Sequence, residues 1–362
     1  MTTSVHVLPT SAPDDTSGLE SLFEEGSLRP ENVVCVLGKT EGNGCVNDFS
    51  RGLATMAYER VLGEYLSVSP DAVSEDVMIM MSGGTEGVMT PHVTVFARRP
   101  SSGGNTSERR LTAGTTQTRM FDPEEIGRET QIQATATGVN AAIDDAGIAD
   151  PSDVRFVQIK CPLLTTTGVA DARKRDETVA VTDTYESMAY SRAASALGVG
   201  LATGELSPEE VSDGVVCRNR GVYSSVASTS AGSELDRSEI LVLGNSKSAS
   251  GEFVIGSSVM DDSLDVAAIE AAVSNAGVDP GSPADAIKNV FAKAEVTSSG
   301  VIRGRRHVVQ EDSVISATRH ARAVVGAVVG STISDPLCYV SGGSEHQGPD
   351  GGGVVAAIAE RN

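Results

Sequence analysis

The chain has 362 residues, 40% hydrophobic and 21% charged, which suits two or three globular domains and not a disordered polymer. Its 28 basic and 49 acidic residues leave a formal charge of −21, the opposite of a nucleic-acid-binding footprint, and with no Trp and 4% aromatics it lacks a base-stacking platform. No apolar run is long enough to span a bilayer, no signal-like segment opens the chain, and five dispersed cysteines show neither CxxC nor zinc spacing, so a cytoplasmic protein without membrane attachment is expected.

Taken from the N-terminus, the elements recur as a pattern of three. An alternating strand is predicted at 4–9 (SVHVLP). A second at 32–40 ends in Lys39, Arg51 follows near the start of a helix, and a run at 76–84 (DVMIMMSGG) delivers Ser82. A Gly/Ser-rich joint at 101–107 closes this module. The next begins with a strand at 110–118 and a helix at 132–147 that stops on Gly, a C-cap signal. A strand at 154–162 then carries Lys160, an Ala-rich helix at 184–204 carries Arg192, and a run at 221–228 (GVYSSVAS) delivers Ser224. A second joint falls at 245–251. The last module repeats the series: strand 252–260, helix 264–277, strand 289–296 with Lys293, helix 317–329 with Arg319, strand 336–343 with Ser341. The fold class expected is α/β, with three structurally similar α/β repeats (1–104, 108–247 and 252–362) arranged with pseudo-threefold symmetry around a central active site.

The order Lys, Arg, Ser is constant while the spacings vary. A serine becomes a nucleophile only with a base, and a buried lysine serves once its charged form is disfavoured. Neighbouring cations do that, and three arginines form a bidentate clamp for a planar ring with carbonyls on its rim. The turns at Ser82-Gly83 and Ser341-Gly342 offer backbone N–H groups that can cradle an oxyanion. The middle module reads Ser224-Ser225 instead, which breaks the symmetry. Other motifs fail: the first glycine of a P-loop around Lys39 would fall on Val33, and the nucleophile-elbow glycine before Ser82 on Met80. The tail SGGSEHQGPDGGG offers carbonyls and Gln347 to a hard cation, and VVAAIA after it reads as a closing strand.

The stretches GKTEGNGCVNDFSR, MSGGTEGVMTPHVTVFARRP, VQIKCPLLT, DTYESMAYSRAASALG, NVFAKAEVTSSGVIRGRRH, ATRHARAV and YVSGGSEHQGPDGGG resemble the cyanuric acid hydrolase/barbiturase family of ring-opening amidohydrolases. The resemblance covers nearly the whole chain. It implies Lys160 as general base and Ser224 as nucleophile, with Arg51, Ser82, Gly83, Arg192, Ser225, Arg319, Ser341 and Gly342 binding substrate, and Lys39 and Lys293 completing the other pairs. It further implies no organic cofactor, a structural divalent cation (Mg²⁺ or Ca²⁺) at Glu295, Ser344, Gln347, Gly348, Pro349 and Gly352, and a homotetramer. The substrate implied is cyanuric acid, opened to carboxybiuret and thence biuret. Barbituric acid, opened to ureidomalonate, is the alternative, because Ala317 replaces the serine usual beside Thr318. A non-catalytic binder of planar anionic heterocycles is the remaining reading.

Overall fold

The structure is a computed structural model that describes residues 1–100, 108–280 and 284–361. The first repeat runs β1 (Thr2–Pro9), α1 (Ser17–Glu24), β2 (Val33–Thr40), α2 (Phe49–Leu66), β3 (Met78–Gly83) and β4 (His92–Arg99). The second runs β5 (Arg110–Gln117), α3 (Glu129–Asp145), β6 (Val154–Pro162), α4 (Thr166–Lys174), α5 (Thr184–Thr203), β7 (Ala227–Gly232) and β8 (Glu239–Ser246). The third runs β9 (Phe253–Met260), α6 (Val266–Asn275), β10 (Ile287–Ala294), the short hairpin β11 (Val301–Ile302) and β12 (Arg305–Arg306), α7 (Ala317–Ile333), β13 (Tyr339–Gly342) and β14 (Gly353–Glu360). The joint expected at 101–107 lies outside the described residues; at the other, Asn245 and Ser246 still belong to β8.

The three main sheets share one strand order: β1-β4-β2-β3, β5-β8-β6-β7 and β9-β14-β10-β13. In each, one pair is parallel, β2 with β3, β6 with β7, β10 with β13, and every other neighbour is antiparallel. A parallel pair needs a crossover, and α2, α5 and α7 supply it. Each sheet even slips register at the same place, at Val33/Cys35, Val154/Phe156 and Ile287/Asn289. The left-handed glycines expected after the predicted helices are present, Gly147 at φ 65° and Gly277 at φ 87°.

Strand periodicity explains the core. Side chains on a strand alternate faces. Cys35, Leu37, Met78 and Met80 point inward and meet Phe156, Leu241, Phe291 and Tyr339 from the other sheets in one shared core. Val36, Ile79 and Met81 point outward and pack on α1 and α2 through Leu19, Ala54 and Leu62. The second and third sheets bury their outer faces on their own helices in the same way. Phe291 sits among the inner aromatics, with ring centroids 5.3 Å from Phe156, 5.8 Å from Tyr339 and 6.5 Å from Phe96. Among the described residues no helix is long and apolar enough to cross a membrane.

Candidate active site

The same parity carries the inner face to the site. Lys39 lies two residues beyond Leu37, Lys160 four beyond Phe156, and Lys293 two beyond Phe291. On the partner strands, Ser82 follows Met80 and Ser341 follows Tyr339 at the same interval. Each parallel pair aligns its lysine with a serine: Lys39 with Ser82, Lys160 with Ser230, Lys293 with Ser341. All six lie at the carboxyl ends of parallel strands, where open α/β sheets place their ligands. A cavity of about 300 Å³ opens there, with Ser82, Ser230, Ser341, Lys160, Arg51, Arg192, Arg319 and Arg322 on its wall.

Two of the residues expected at the site are therefore corrected. Ser224 and Ser225 stand before β7, away from this cavity. Their hydroxyls both donate to the Glu205 carboxylate, Ser224 at 2.5 Å, and the Ser225 N–H donates to it at 2.9 Å. They latch the entry of β7 to the end of α5. The serine in register with Lys160 is Ser230, and Ala231 stands where the other turns have Gly83 and Gly342. The run expected to carry the serine is likewise displaced: β7 begins at Ala227.

The arginines form a closed ring with three glutamates that sequence reading passed over. Arg51 of the first repeat grips Glu234 of the second (Nε to Oε1, 3.0 Å). Arg192 of the second grips Glu345 of the third at 2.8 and 2.7 Å. Arg322 of the third grips Glu86 of the first, with Nε at 2.7 Å. Arg319 also reaches Glu86, at 3.1 Å, but its side chain is 41% exposed against 4% for Arg322. Arg322 is thus the counterpart of Arg51 and Arg192, and Arg319 is an outer companion. A signal for these groups was present: Ser-Gly-Gly-Thr-Glu, Ser-Ala-Gly-Ser-Glu and Ser-Gly-Gly-Ser-Glu recur at 82–86, 230–234 and 341–345. Two turn glycines make room for the guanidiniums. A Cβ on Gly84 (φ 97°) would lie 2.6 Å from Arg322 Nε, and one on Gly343 (φ 80°) 2.5 Å from Arg192 Nε.

The three lysines differ. Lys39 Nζ donates to the Gly83 carbonyl at 3.0 Å. Lys293 Nζ donates to Thr229 O at 2.7 Å, Ser341 Oγ at 3.1 Å and Gly342 O at 3.2 Å. Both sit behind their turns, and burial, helped by Arg322 and Arg192 respectively, holds their amines well below the usual lysine range. Lys160 alone reaches the cavity wall, with Nζ 3.3 Å from Glu234 Oε1. Burial lowers its pKa, Glu234 works against that, and Arg51 adds to the lowering. Glu234 itself is held down to about 2, since Lys160 and Arg51 outweigh its burial.

The loop expected to hold a cation follows the third serine. Glu295 is half-buried just beyond the end of β10 and accepts a hydrogen bond from the Val296 N–H at 3.0 Å. Burial and then the neighbouring Glu345 carboxylate raise its pKa, against the pull of the Val296 N–H, Arg192 and Arg220. Gln347 uses its carboxamide elsewhere: Oε1 accepts the Thr229 N–H at 2.6 Å and Nε2 donates to Gly343 O at 3.1 Å. Its main-chain carbonyl accepts the Val354 N–H at 3.1 Å, so each of its two oxygens keeps one lone pair for a cation. Among the described residues no cluster of three or more His, Cys, Asp or Glu could hold a metal. A donor set of one carboxylate plus carbonyls of Ser344, Gln347, Gly348, Pro349 and Gly352 fits a hard cation. His346 is a clamp: Nε2 accepts from Cys217 N–H at 2.9 Å and Nδ1 donates to Val222 O.

Three α/β repeats thus each align a lysine with a serine and turn that serine and an arginine into one cavity, the setting of a hydrolase with a serine nucleophile. The model of the amidohydrolase ring-opening protein family matches residues 4–360. A cyanuric acid amidohydrolase of Enterobacter cloacae is 51% identical over 367 residues, covering 99% of each chain. A solved structure described as cyanuric acid hydrolase, an evolutionary innovation by structural concatenation, superposes with a TM-score of 0.96 at 49% identity, over 99% of each chain. The cyanuric acid hydrolase structure from A. caulinodans superposes at 0.93 with 45% identity, over 100% of this chain and 99% of that one. The chain belongs to the amidohydrolase ring-opening protein family.

Proposed function

We propose that this chain hydrolyses the ring of cyanuric acid, with Ser230 as nucleophile and Lys160 as its base. The observation that carries the reading is the threefold cavity: three serine turns and three clamped arginines surround a space of about 300 Å³, suited to one small ring with three equivalent carbonyls. The relatives of that name, matched over nearly their full length, support it. The second pair is chosen because Lys39 and Lys293 are committed to main-chain carbonyls, whereas Lys160 faces the cavity.

In this reading the Lys160 amine takes the Ser230 proton as Oγ attacks a ring carbonyl, and backbone N–H groups of the serine turn stabilise the oxyanion. The C–N bond breaks and the ring nitrogen takes the proton from Lys160. Water then adds to the acyl carbon, and its proton returns through Lys160 to Ser230 as the C–O bond to the enzyme breaks. The product, carboxybiuret, loses CO₂ to give biuret. The arginines favour a deprotonated ring. A divalent cation at Glu295 and the C-terminal loop belongs to the same proposal, its part being to neutralise Glu295 and shape the loop behind Ser341. So do the homotetramer and the cytoplasmic setting that the family resemblance implies.

The test is turnover of purified protein on cyanuric and barbituric acids side by side, with the Ser230→Ala and Lys160→Ala variants. Biuret from cyanuric acid, lost in both variants, is expected. Faster turnover of barbituric acid would overturn the substrate, and an active Ser230→Ala enzyme the nucleophile. Calorimetric binding without product would make the protein a binder.

A further inference from the structure

The ring of glutamates is not symmetric in what it touches. Glu86 meets Arg322 and Arg319, and Glu345 meets Arg192. Glu234 meets Arg51 and also Lys160, both through Oε1, at 3.0 and 3.3 Å. Its side chain is 33% exposed, where those of Glu86 and Glu345 are 12%. One carboxylate oxygen thus joins a substrate-gripping arginine to the one lysine on the cavity wall.

We propose that Glu86, Glu234 and Glu345 are positioning residues that aim the three arginines, and that Glu234 in addition holds the Lys160 amine and opposes its release of a proton. This rests on the reading of Lys160 as the base. Guanidiniums this deeply buried need a fixed counter-charge, and a bidentate carboxylate fixes their plane as well. Because each glutamate comes from a different repeat than its arginine, the ring also sets how the repeats face one another. The other charged or titratable groups facing Lys160 are Arg51 on α2, Glu239 on β8, Lys39 on β2 and its neighbour Cys161. Of these, Arg51 and Lys39 favour the free amine and Glu239 opposes it. Loss of the Glu234 charge therefore moves the balance toward the amine.

The experiment is steady-state kinetics on cyanuric acid from pH 5 to 10 for the wild type, Glu86→Gln, Glu345→Gln, Glu234→Gln and Glu234→Asp, each checked for folding by its melting curve. Glu86→Gln and Glu345→Gln are expected to raise KM about tenfold and leave the ascending limb of kcat in place. Glu234→Gln is expected to raise KM similarly and to move that limb toward acid by about one pH unit, while Glu234→Asp, which keeps the charge, restores the limb. A limb unmoved in Glu234→Gln, or moved equally in all three glutamine variants, overturns the role assigned to Glu234. Unchanged KM in all three overturns the aiming role. If Lys160→Ala keeps turnover, the base assignment falls, and this proposal falls with it by a distinguishable route.

Discussion

Glu239→Gln tests how this site trades stability for chemistry. Glu239 lies on β8 between Gln117 of β5 and Lys160 of β6, in register with both. Burial lifts its carboxyl from 4.5 to about 7, and the attraction of Lys160 does not offset that. Below pH 4.5 the group is protonated in folded and unfolded chains alike, and stability is unaffected. Between 4.5 and 7 the unfolded chain ionises first, so it binds fewer protons and stability falls as pH rises. Above 7 the penalty is complete. At 1.36 kcal/mol per pH unit, that window gives an upper bound of about 3 kcal/mol, and partial solvent contact brings the expectation nearer 2. Glutamine fills the same volume and cannot ionise. Urea unfolding of Glu239→Gln should therefore match the wild type at pH 4 and exceed it by about 2 kcal/mol at pH 8. Equal stability at both values, or a gain at pH 4 alone, refutes the reasoning.

Ser224→Ala should keep turnover and lose about 2 kcal/mol of stability in urea unfolding, the scale of a buried hydrogen bond to a carboxylate. A dead but fully stable variant would return the nucleophile to Ser224. Arg322→Ala should raise KM at least tenfold, and Arg319→Ala much less, because only Arg322 is buried in the ring of glutamates. Equal effects would make the two arginines partners. Chelation should lower the melting temperature, as a cation held at a hundred times its Kd contributes about 2.7 kcal/mol. That loss should vanish in Glu295→Gln, and a wild-type melt indifferent to chelator removes the cation.

The repeat was legible because each module ends its apolar runs with the same polar residues, and strand parity forces those residues onto one face. Helix ends were legible from their glycines. The middle serine was misread because GVYSSVAS contains β-formers and a serine pair, which imitates a strand end. Its buried hydroxyl is instead spent on Glu205, a contact 19 residues away that no local pattern reveals. Ser230 sits inside ASTSAG, where small residues hide a strand whose both faces are buried. The expectation of Arg319 left out its neighbour Arg322, which also lines the cavity, for a related reason. Arg319 and Arg322 are one helical turn apart, and burial that depends on another repeat decides between them. Strands β4 and β8 are apolar runs that carry neither lysine nor serine of the aligned pairs, so the repeated polar residues do not mark them.

The ring of ion pairs explains why three modules must remain in one closed assembly. Arg51 needs Glu234, Arg192 needs Glu345 and Arg322 needs Glu86, so each repeat supplies one partner to each neighbour. Removing one partner of a buried pair costs about 3–5 kcal/mol, more than either charge alone returns. A repeat on its own would strand its arginine, its glutamate and an inner sheet face built of Phe96, Phe156 or Phe291. Closure also permits asymmetry. Once the ring is held by three equivalent pairs, the residue opposite each lysine on the neighbouring antiparallel strand is free to differ. It is His92 beside Lys39 and Glu239 beside Lys160, while in the third repeat Gly353 of β14 packs against Lys293. His92 is fully buried and holds Thr90 O, and Gly353 leaves no side chain at all. At the middle lysine that residue is a carboxylate, Glu239, so Lys160 stands between it and Glu234, beside a serine in register with it.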